Sequence, residues 1–270
     1  MPEISVNMNI MGRQLSMLFD PDLPVQNAIL GELQQTSAYE PGTQFFFMRV
    51  LNKGDTFVDV GAHVGYFTMI SAAVVGDQGK VVAEEPIEDN FKFLERNIAN
   101  NDLSYVHAIQ TVISDTNGEV QFHHNKDNDG GHALWDPRQH PMNERTREAP
   151  NSEILPSMTL ESLLDKFSRD HVRAMKIDTE GAERMILESG RSYFERGAVD
   201  FIISEVNVTG LVEMGSSIDD YFAYARDLGF VILLPKADGS APTVLARDNQ
   251  PDPRYVYNVI LATPKALEDF

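Results

Sequence analysis

The sequence predicts a layered α/β domain built on a mostly parallel sheet. Three observations carry the prediction. Strand-like and helix-like segments alternate from residue 54 onward, a glycine-bearing turn follows the first strand-like segment, and acids stand at the ends of several later ones.

Residues 1 to 50 mix modest apolar runs with polar punctuation and read as a cap or lid segment rather than an independent domain. Within them a short helix is expected around 24 to 35, entered after Pro24 and left before Pro41. "TQFFFMRVL" suits a strand or a helix, because three consecutive Phe fix burial but not period. The main domain is placed at 51 to 270. "TFVDV" then reads as a strand, "VGYFTMISAAVV" as a helix and "GKVVAEE" as a strand. "IEDNFKFLERNIANN" is an amphipathic helix, with Phe91, Leu94 and Ile98 spaced by 3 and 4. Further strands are expected in "YVHAIQTVIS" and "GEVQFHH".

A polar run at about 125 to 156, holding the lone Trp135, is too long for an ordinary connector and reads as a long inserted loop. Regular structure resumes with "MTLESLLDKF" as a helix that Thr159 or Ser162 can start, and "VRAMKID" as a strand. "EGAERMILESG" is helix-like, "VDFIISEVN" a strand, "SIDDYFAYARDLGF" a helix, and "VILLPK" and "RYVYNVILATP" the last strands.

Composition narrows the function. The 270 residues carry 41 acids against 22 Lys plus Arg, a formal net charge of -19, and show no basic cluster. Such a field repels phosphate backbones and anionic membrane surfaces, so neither nucleic acid nor membrane is an expected partner. No apolar run is long enough to span a bilayer, and "MPEISVNMNIMGRQ" lacks the pattern of a secretory leader. With no Cys, disulfides and thiolate metal sites are absent, and a cytoplasmic location is expected.

The candidate site begins in "FVDVGAHVGYFTM". Ligands of open α/β sheets bind beyond the carboxyl ends of the strands, where Asp59 and its turn are expected to lie. Gly61 frees the turn, and Gly65 lets the next helix pack closely or admits a ligand. The plainer reading, a tight turn and close packing, competes for the glycines taken alone. Glu85, 24 residues after Gly61, is placed to accept both hydroxyl hydrogens of a ribose. Asp59 would crowd a pyrophosphate but suits an ammonium, which favours S-adenosylmethionine over NAD. A third group lies in "AMKIDTEGAE", with Asp178 at a strand end, Glu180 in the turn and Glu183 on the next helix, where first-turn capping is the plainer role. Glu205 and Asn207 repeat the arrangement one strand later.

These residues resemble the FkbM-type family of S-adenosylmethionine-dependent methyltransferases. The likeness runs over roughly residues 54 to 263 and rests on a DxGAxxG turn, EP-x3-N-x3-L after the second strand, and KID-x-EG-x-E. It implies a class I methyltransferase (Rossmann-like) fold, with seven mostly parallel strands, the last antiparallel, and helices on both faces. It implies S-adenosylmethionine as cofactor, with Asp59, Gly61 and Gly65 around its methionine end, and His63 and Tyr66 are further candidates for cofactor contact. Glu85 would hold the ribose, the Gln110 to Ser114 segment would border the adenine, and Asp178 would adjoin the same ligand. Glu84 stands where the family usually has an aromatic. For the reaction the resemblance implies O-methylation of a small-molecule hydroxyl, on a sugar or a glycosylated or polyketide-type natural product.

A hydroxyl acceptor needs alignment and a base. The candidates are Asp178, Glu180, Glu205 and His132, the last in a mobile-looking "NDGGHALWD" where Trp135 offers a stacking surface. His132 and His63 have plainer readings as loop residues, and Tyr66, Phe67 and Phe91 as core. Arg254, Tyr255 and Tyr257 are candidates for the acceptor entrance. No compact ligand spacing marks a metal site, so no metal is assigned. The competing readings are an N-methyltransferase of a small amine or peptide, an NAD(P)-dependent oxidoreductase, and a non-catalytic cofactor-binding protein. Neither monomer nor homodimer is favoured.

Overall fold

The computed structural model describes residues 2–167, 170–246 and 256–268. The chain opens with a hairpin of β1 (Ile4–Ile10) and β2 (Arg13–Phe19), closed by Met11 and Gly12, both at positive φ. A two-residue turn of that kind suits the twist of paired strands, but Met-Gly is not its usual sequence, which hid the hairpin from the sequence reading. Two helices follow, α1 (Pro24–Thr36) and α2 (Pro41–Val50), each with proline in its first turn. The ambiguous Phe run is helical. Phe46, Phe47 and Val50 are buried while Phe45 is 38% exposed, a 3.6-residue rather than a 2-residue period.

The layered part begins with β3 (Thr56–Val60), α3 (Tyr66–Val75), β4 (Lys80–Glu84), α4 (Glu88–Asn100) and β5 (Val106–Ile109). Next come β6 (Val112–Ser114), β7 (Gly118–His123), the short α5 (Glu144–Glu148), β8 (Ser152–Thr159) and α6 (Leu160–Phe167). The remainder is β9 (Val172–Ile177), α7 (Glu183–Ser189), α8 (Arg191–Glu195), β10 (Val199–Val206), α9 (Val208–Glu213) and α10 (Ile218–Asp227). It closes with β11 (Val231–Leu234), β12 (Thr243–Val244), β13 (Tyr257–Ala262) and α11 (Pro264–Glu268).

The main sheet runs β12-β11-β13-β10-β9-β3-β4-β5. Strands β5, β4, β3, β9 and β10 are parallel neighbours, and β13 enters antiparallel between β10 and β11. The expectation of seven strands is corrected to eight among the described residues, the addition being the two-residue edge β12. One apolar layer packs the hairpin, α1, α2 and α3 on one face; the other packs α6, α7, α8 and α10 on the opposite face.

A small sheet, β6-β8-β7, stands apart from the main one. It corrects the expectation that regular structure resumes only with the helix at Met158: β8 already starts at Ser152, within the polar run. Pro156 disguised that strand. Its missing N–H is tolerated because β6 pairs only with Ser157 to Thr159, so the proline lies beyond the end of β6. Thr159 then starts α6, its Oγ1 accepting from Ser162 N–H at 3.1 Å. Among the described residues no helix is long and apolar enough to cross a membrane.

Candidate active site

Strand alternation builds the floor of the site. On the face toward α2 and α3, β3 presents Phe57 and then Asp59, β9 presents Ala174 and then Lys176, and β10 presents Phe201, Ile203 and then Glu205. Asp59 and Lys176 are register partners across β3 and β9, and Glu205 pairs with Asn258 of β13. Each strand therefore turns from apolar to ionisable at its carboxyl end. A cleft of about 1110 Å³, part of it open to solvent, lies above this row. Val25, Ile29, Tyr39 and Glu40 from the first fifty residues wall one side, and Asn128, Gly130, His132 and Leu134 from the inserted loop wall another.

The turn after β3 has no room for a side chain at its first glycine. A Cβ on Gly61, at φ 77°, would lie 1.9 Å from the Asp178 carbonyl oxygen. Gly61 N–H donates to Glu84 Oε2 at 3.1 Å and His63 N–H to Glu85 Oε2 at 2.9 Å. Ile87 N–H donates to Glu85 Oε1 at 2.9 Å. The Asn90 side chain also bonds this carboxylate, and the acceptor capacity that remains suits a ligand hydroxyl. Burial raises its carboxyl above the ordinary range, against the opposing charge of His63. Glu84, in the position where the resemblance leads one to expect an aromatic, is buried and clamps the turn instead; burial and then Glu85 push its carboxyl well up.

Asp59 is 1% exposed. Thr68 Oγ1 donates to its Oδ2 at 2.6 Å, while Oδ1 is buried with no partner among the described residues. An orphaned carboxylate oxygen is costly unless a ligand donor meets it. Tyr66 also lines the cleft, its hydroxyl donating to Gln44 Oε1 at 2.5 Å and accepting from Tyr39 N–H at 3.1 Å. Gly65 and Ser114 lie outside the cleft wall. A Cβ on Gly65 would meet Leu94 Cδ1 at 2.6 Å, so close packing explains that glycine. Ser114 Oγ is engaged with Thr116, and Val112 and Ile113 line the cleft in its place.

The second turn holds the acids. Lys176 Nζ, 5% exposed at its side chain, pairs with Asp178 Oδ2 and stands 5.1 Å from the Phe67 ring centroid. Burial opposes its charge, but Asp178, Glu40 and Asp59 together raise its basicity, so it stays an ammonium. Glu180 sits at φ 59°, a left-handed backbone that a non-glycine residue adopts at a cost of about 1–3 kcal/mol. Its carbonyl accepts from Trp135 Nε1 at 2.6 Å, and Asn207 Nδ2 donates to its Oε2, also at 2.6 Å. Gly181, at φ 109°, completes the turn; a Cβ there would lie 2.2 Å from the Gly210 carbonyl carbon. Burial, then the nearby Asp178 charge, lifts the Glu180 carboxyl to about 8. Burial and Asp178 likewise hold Glu205 well above the ordinary range.

His132 is in the wall, with its Nδ1 accepting from Asn125 N–H at 3.0 Å. Burial depresses it to about 4, so at neutral pH the ring is uncharged and carries its hydrogen on Nε2. Trp135 is buried and bonded to Glu180, which withdraws it from the stacking role expected of it. Arg254 and Tyr255 lie outside the described residues; Tyr257 is half-buried, on β13. Among the described residues no group of three or more His, Asp or Glu is arranged to hold a metal ion. Sequence reasoning missed Lys176, Tyr39, Glu40 and Asp129. A lysine inside the apolar run of β9 was a readable signal for the first; the others depend on long-range packing.

Glu183 takes the capping role, in an unexpected form. Its Oε1 accepts from Thr179 N–H, Thr179 Oγ1 and Gly181 N–H at 3.0–3.1 Å, while Oε2 is buried without a partner among the described residues. Burial raises its carboxyl from 4.5 to about 7 despite those donors. An acid whose folded value is raised stabilises the fold below about 4.5 and loses that contribution as pH rises through about 7. The melting temperature is therefore expected to fall between about pH 4.5 and 7, and Glu183→Gln to flatten that slope, both read by thermal melts across pH.

The cleft suits S-adenosylmethionine. A partnerless buried Asp59 oxygen matches an ammonium, Glu85 matches a ribose diol, Val112, Ile113 and Pro86 offer an apolar wall, and the acid excess suits a sulfonium. Fold and site together define a class I S-adenosylmethionine-dependent methyltransferase. The methyltransferase FkbM domain matches residues 59–232, and the chain belongs to that family. No curated protein matches the sequence. Among solved structures, the methyltransferase FkbM from Methylobacillus flagellatus KT is 15% identical with a TM-score of 0.48, covering 82% of this chain and 47% of its own. An O-methyltransferase from Bacillus cereus, in complex with SAH, is 13% identical with a TM-score of 0.44, covering 87% and 90%. An rRNA methylase from Streptococcus thermophilus is 13% identical with a TM-score of 0.44, covering 82% and 93%.

Proposed function

We propose that the protein methylates a hydroxyl of a small polyhydroxylated molecule, a sugar or a glycosylated or polyketide-type natural product. One observation carries this reading: Asp178, Glu180, Glu205 and Glu40 line the same cleft as Asp59 and Glu85, so acceptors of hydroxyl hydrogens surround the place where the cofactor belongs. Asp59 and Glu85 would hold the cofactor, with Gly61 and His63 shaping the turn beneath it. S-adenosylmethionine, when bound, supplies an electrophilic methyl group.

The chain's own work is orientation and proton transfer. Lys176 keeps Asp178 paired and oriented, and Asp178 takes one acceptor hydroxyl. Asn207 ties Glu180 Oε2, which leaves Oε1 to receive the proton of the reacting hydroxyl. Glu205 accepts a neighbouring hydroxyl. His132 is a donor here rather than a base, because its acceptor nitrogen is taken by Asn125. The segment 1–50 and the loop at 125–156 act as the cover that keeps water from the reacting atoms, supported by their side chains in the cleft wall. The charge of -19 supports a small molecule over nucleic acid, and the cysteine-free composition supports a cytoplasmic setting.

The acid excess gives one specific support to a second reading, N-methylation of a small amine or peptide. Incubation with methyl-labelled S-adenosylmethionine and two panels, glycosides with polyols and amines with basic peptides, separates them. Label in an ether product is the expected result; label only in amines would replace this reading with the second.

A further inference from the structure

Asp129 gathers three segments that are distant in the chain. Its Oδ2 meets His63 Nε2 at 3.0 Å, its Oδ1 accepts from Val25 N–H at 2.6 Å, and its carbonyl accepts from Asn90 Nδ2 at 2.8 Å. Val25 lies in the first turn of α1, where Leu23 offers no side-chain cap, so Asp129 satisfies a helix donor from 104 residues away. His63 belongs to the cofactor turn and holds a left-handed backbone, φ 53°, that non-glycine residues keep only when their surroundings hold them there. Two contacts hold it: the backbone N–H on Glu85 Oε2 and the ring on Asp129. Asp129 itself is 8% exposed. Burial opposes its ionisation, and the hydrogen bonds from His63 and Val25 outweigh burial and keep it a carboxylate.

We propose that Asp129 is a positioning residue for the cofactor. It fixes the His63 turn so that the His63 amide stays on Glu85, and it fastens α1 and the inserted loop over the same cleft. Closure of the cover and retention of the cofactor thus share one side chain. This rests on the cofactor assignment and is independent of which acceptor is methylated.

The test uses the full chain with Asp129→Ala, Asp129→Asn, His63→Asn and the Asp129→Ala/His63→Asn double variant. Asn tolerates a left-handed backbone, so His63→Asn removes the ring and leaves the turn. In ligand-free protein, Asp129→Ala is expected to speed amide exchange over residues 24–30 and 61–66. By calorimetry it is expected to weaken S-adenosylmethionine binding about tenfold, the scale of one charge-assisted hydrogen bond. Asp129→Asn, which keeps a carbonyl for Val25 N–H, recovers part of both effects. The double variant is expected to bind no worse than the weaker single one, as for residues acting through one contact. Folded Asp129→Ala protein with native exchange, or with native affinity, overturns the proposal, and so do additive losses. If the native protein itself binds no S-adenosylmethionine, the cofactor assignment falls, while unchanged exchange in Asp129→Ala separately refutes the tether.

Discussion

Glu85→Ala is expected to weaken S-adenosylmethionine binding by about 10²- to 10⁴-fold, the scale of two hydrogen bonds to a charged acceptor. The carboxylate stands just after β4, lines the cleft, and is held by one backbone donor on each oxygen and by Asn90. The alanine variant also strands the N–H groups of His63 and Ile87, so part of the loss is disorder of the turn. Glu85→Gln separates the two contributions. It keeps the side chain's shape and one acceptor oxygen, so the turn survives and binding is expected to fall between the native protein and the alanine variant. Titration of all three, with melts to confirm folding, gives the comparison. Equal affinity in all three would remove Glu85 from the site.

Glu180→Gln is expected to lower kcat by about 10²- to 10⁴-fold with little change in cofactor affinity, as for loss of a positioned base. The amide fits the same turn and still accepts from Asn207, but it takes no proton. The raised carboxyl gives a second signature. A base works only when deprotonated, so kcat/KM of the native enzyme is expected to rise with pH through about 8, the value to which burial and Asp178 lift Glu180. The residual activity of Glu180→Gln should lack that limb. A variant that keeps native kcat shifts the base to Asp178 or Glu205, two further carboxyls of the cleft.

The strands that carry the site were legible because each couples an apolar run to an acid at its carboxyl end: "TFVDV", "KVVAEE", "AMKID" and "FIISEV" all become strands of the main sheet. Their order was not legible. β9 lies next to β3 although more than 110 residues separate them, and only that adjacency makes Asp59 and Lys176 register partners. Elements with weak local signals stayed hidden, namely the Met-Gly hairpin and the proline-bearing β8. The cover was legible as a segment, but its contributing residues were not. Tyr39, Glu40 and Asp129 have ordinary sequence surroundings, and their positions depend on tertiary contacts such as Asn258 Nδ2 donating to Glu40 Oε2 at 2.8 Å. Motif spacing marked the turns after β3, β4 and β9, while the walls that residues 1–50 and the inserted loop add to the cleft come from packing.

The most direct test of the central claim, that this cleft binds S-adenosylmethionine, is a calorimetric titration of the native protein at two temperatures, so that a vanishing enthalpy cannot hide binding. Saturable binding of one S-adenosylmethionine per chain, with no heat from NAD under the same conditions, is the predicted result. Folded protein that takes up NAD, or neither ligand, at both temperatures would contradict the claim and would leave the buried, partnerless oxygen of Asp59 without a ligand to explain it.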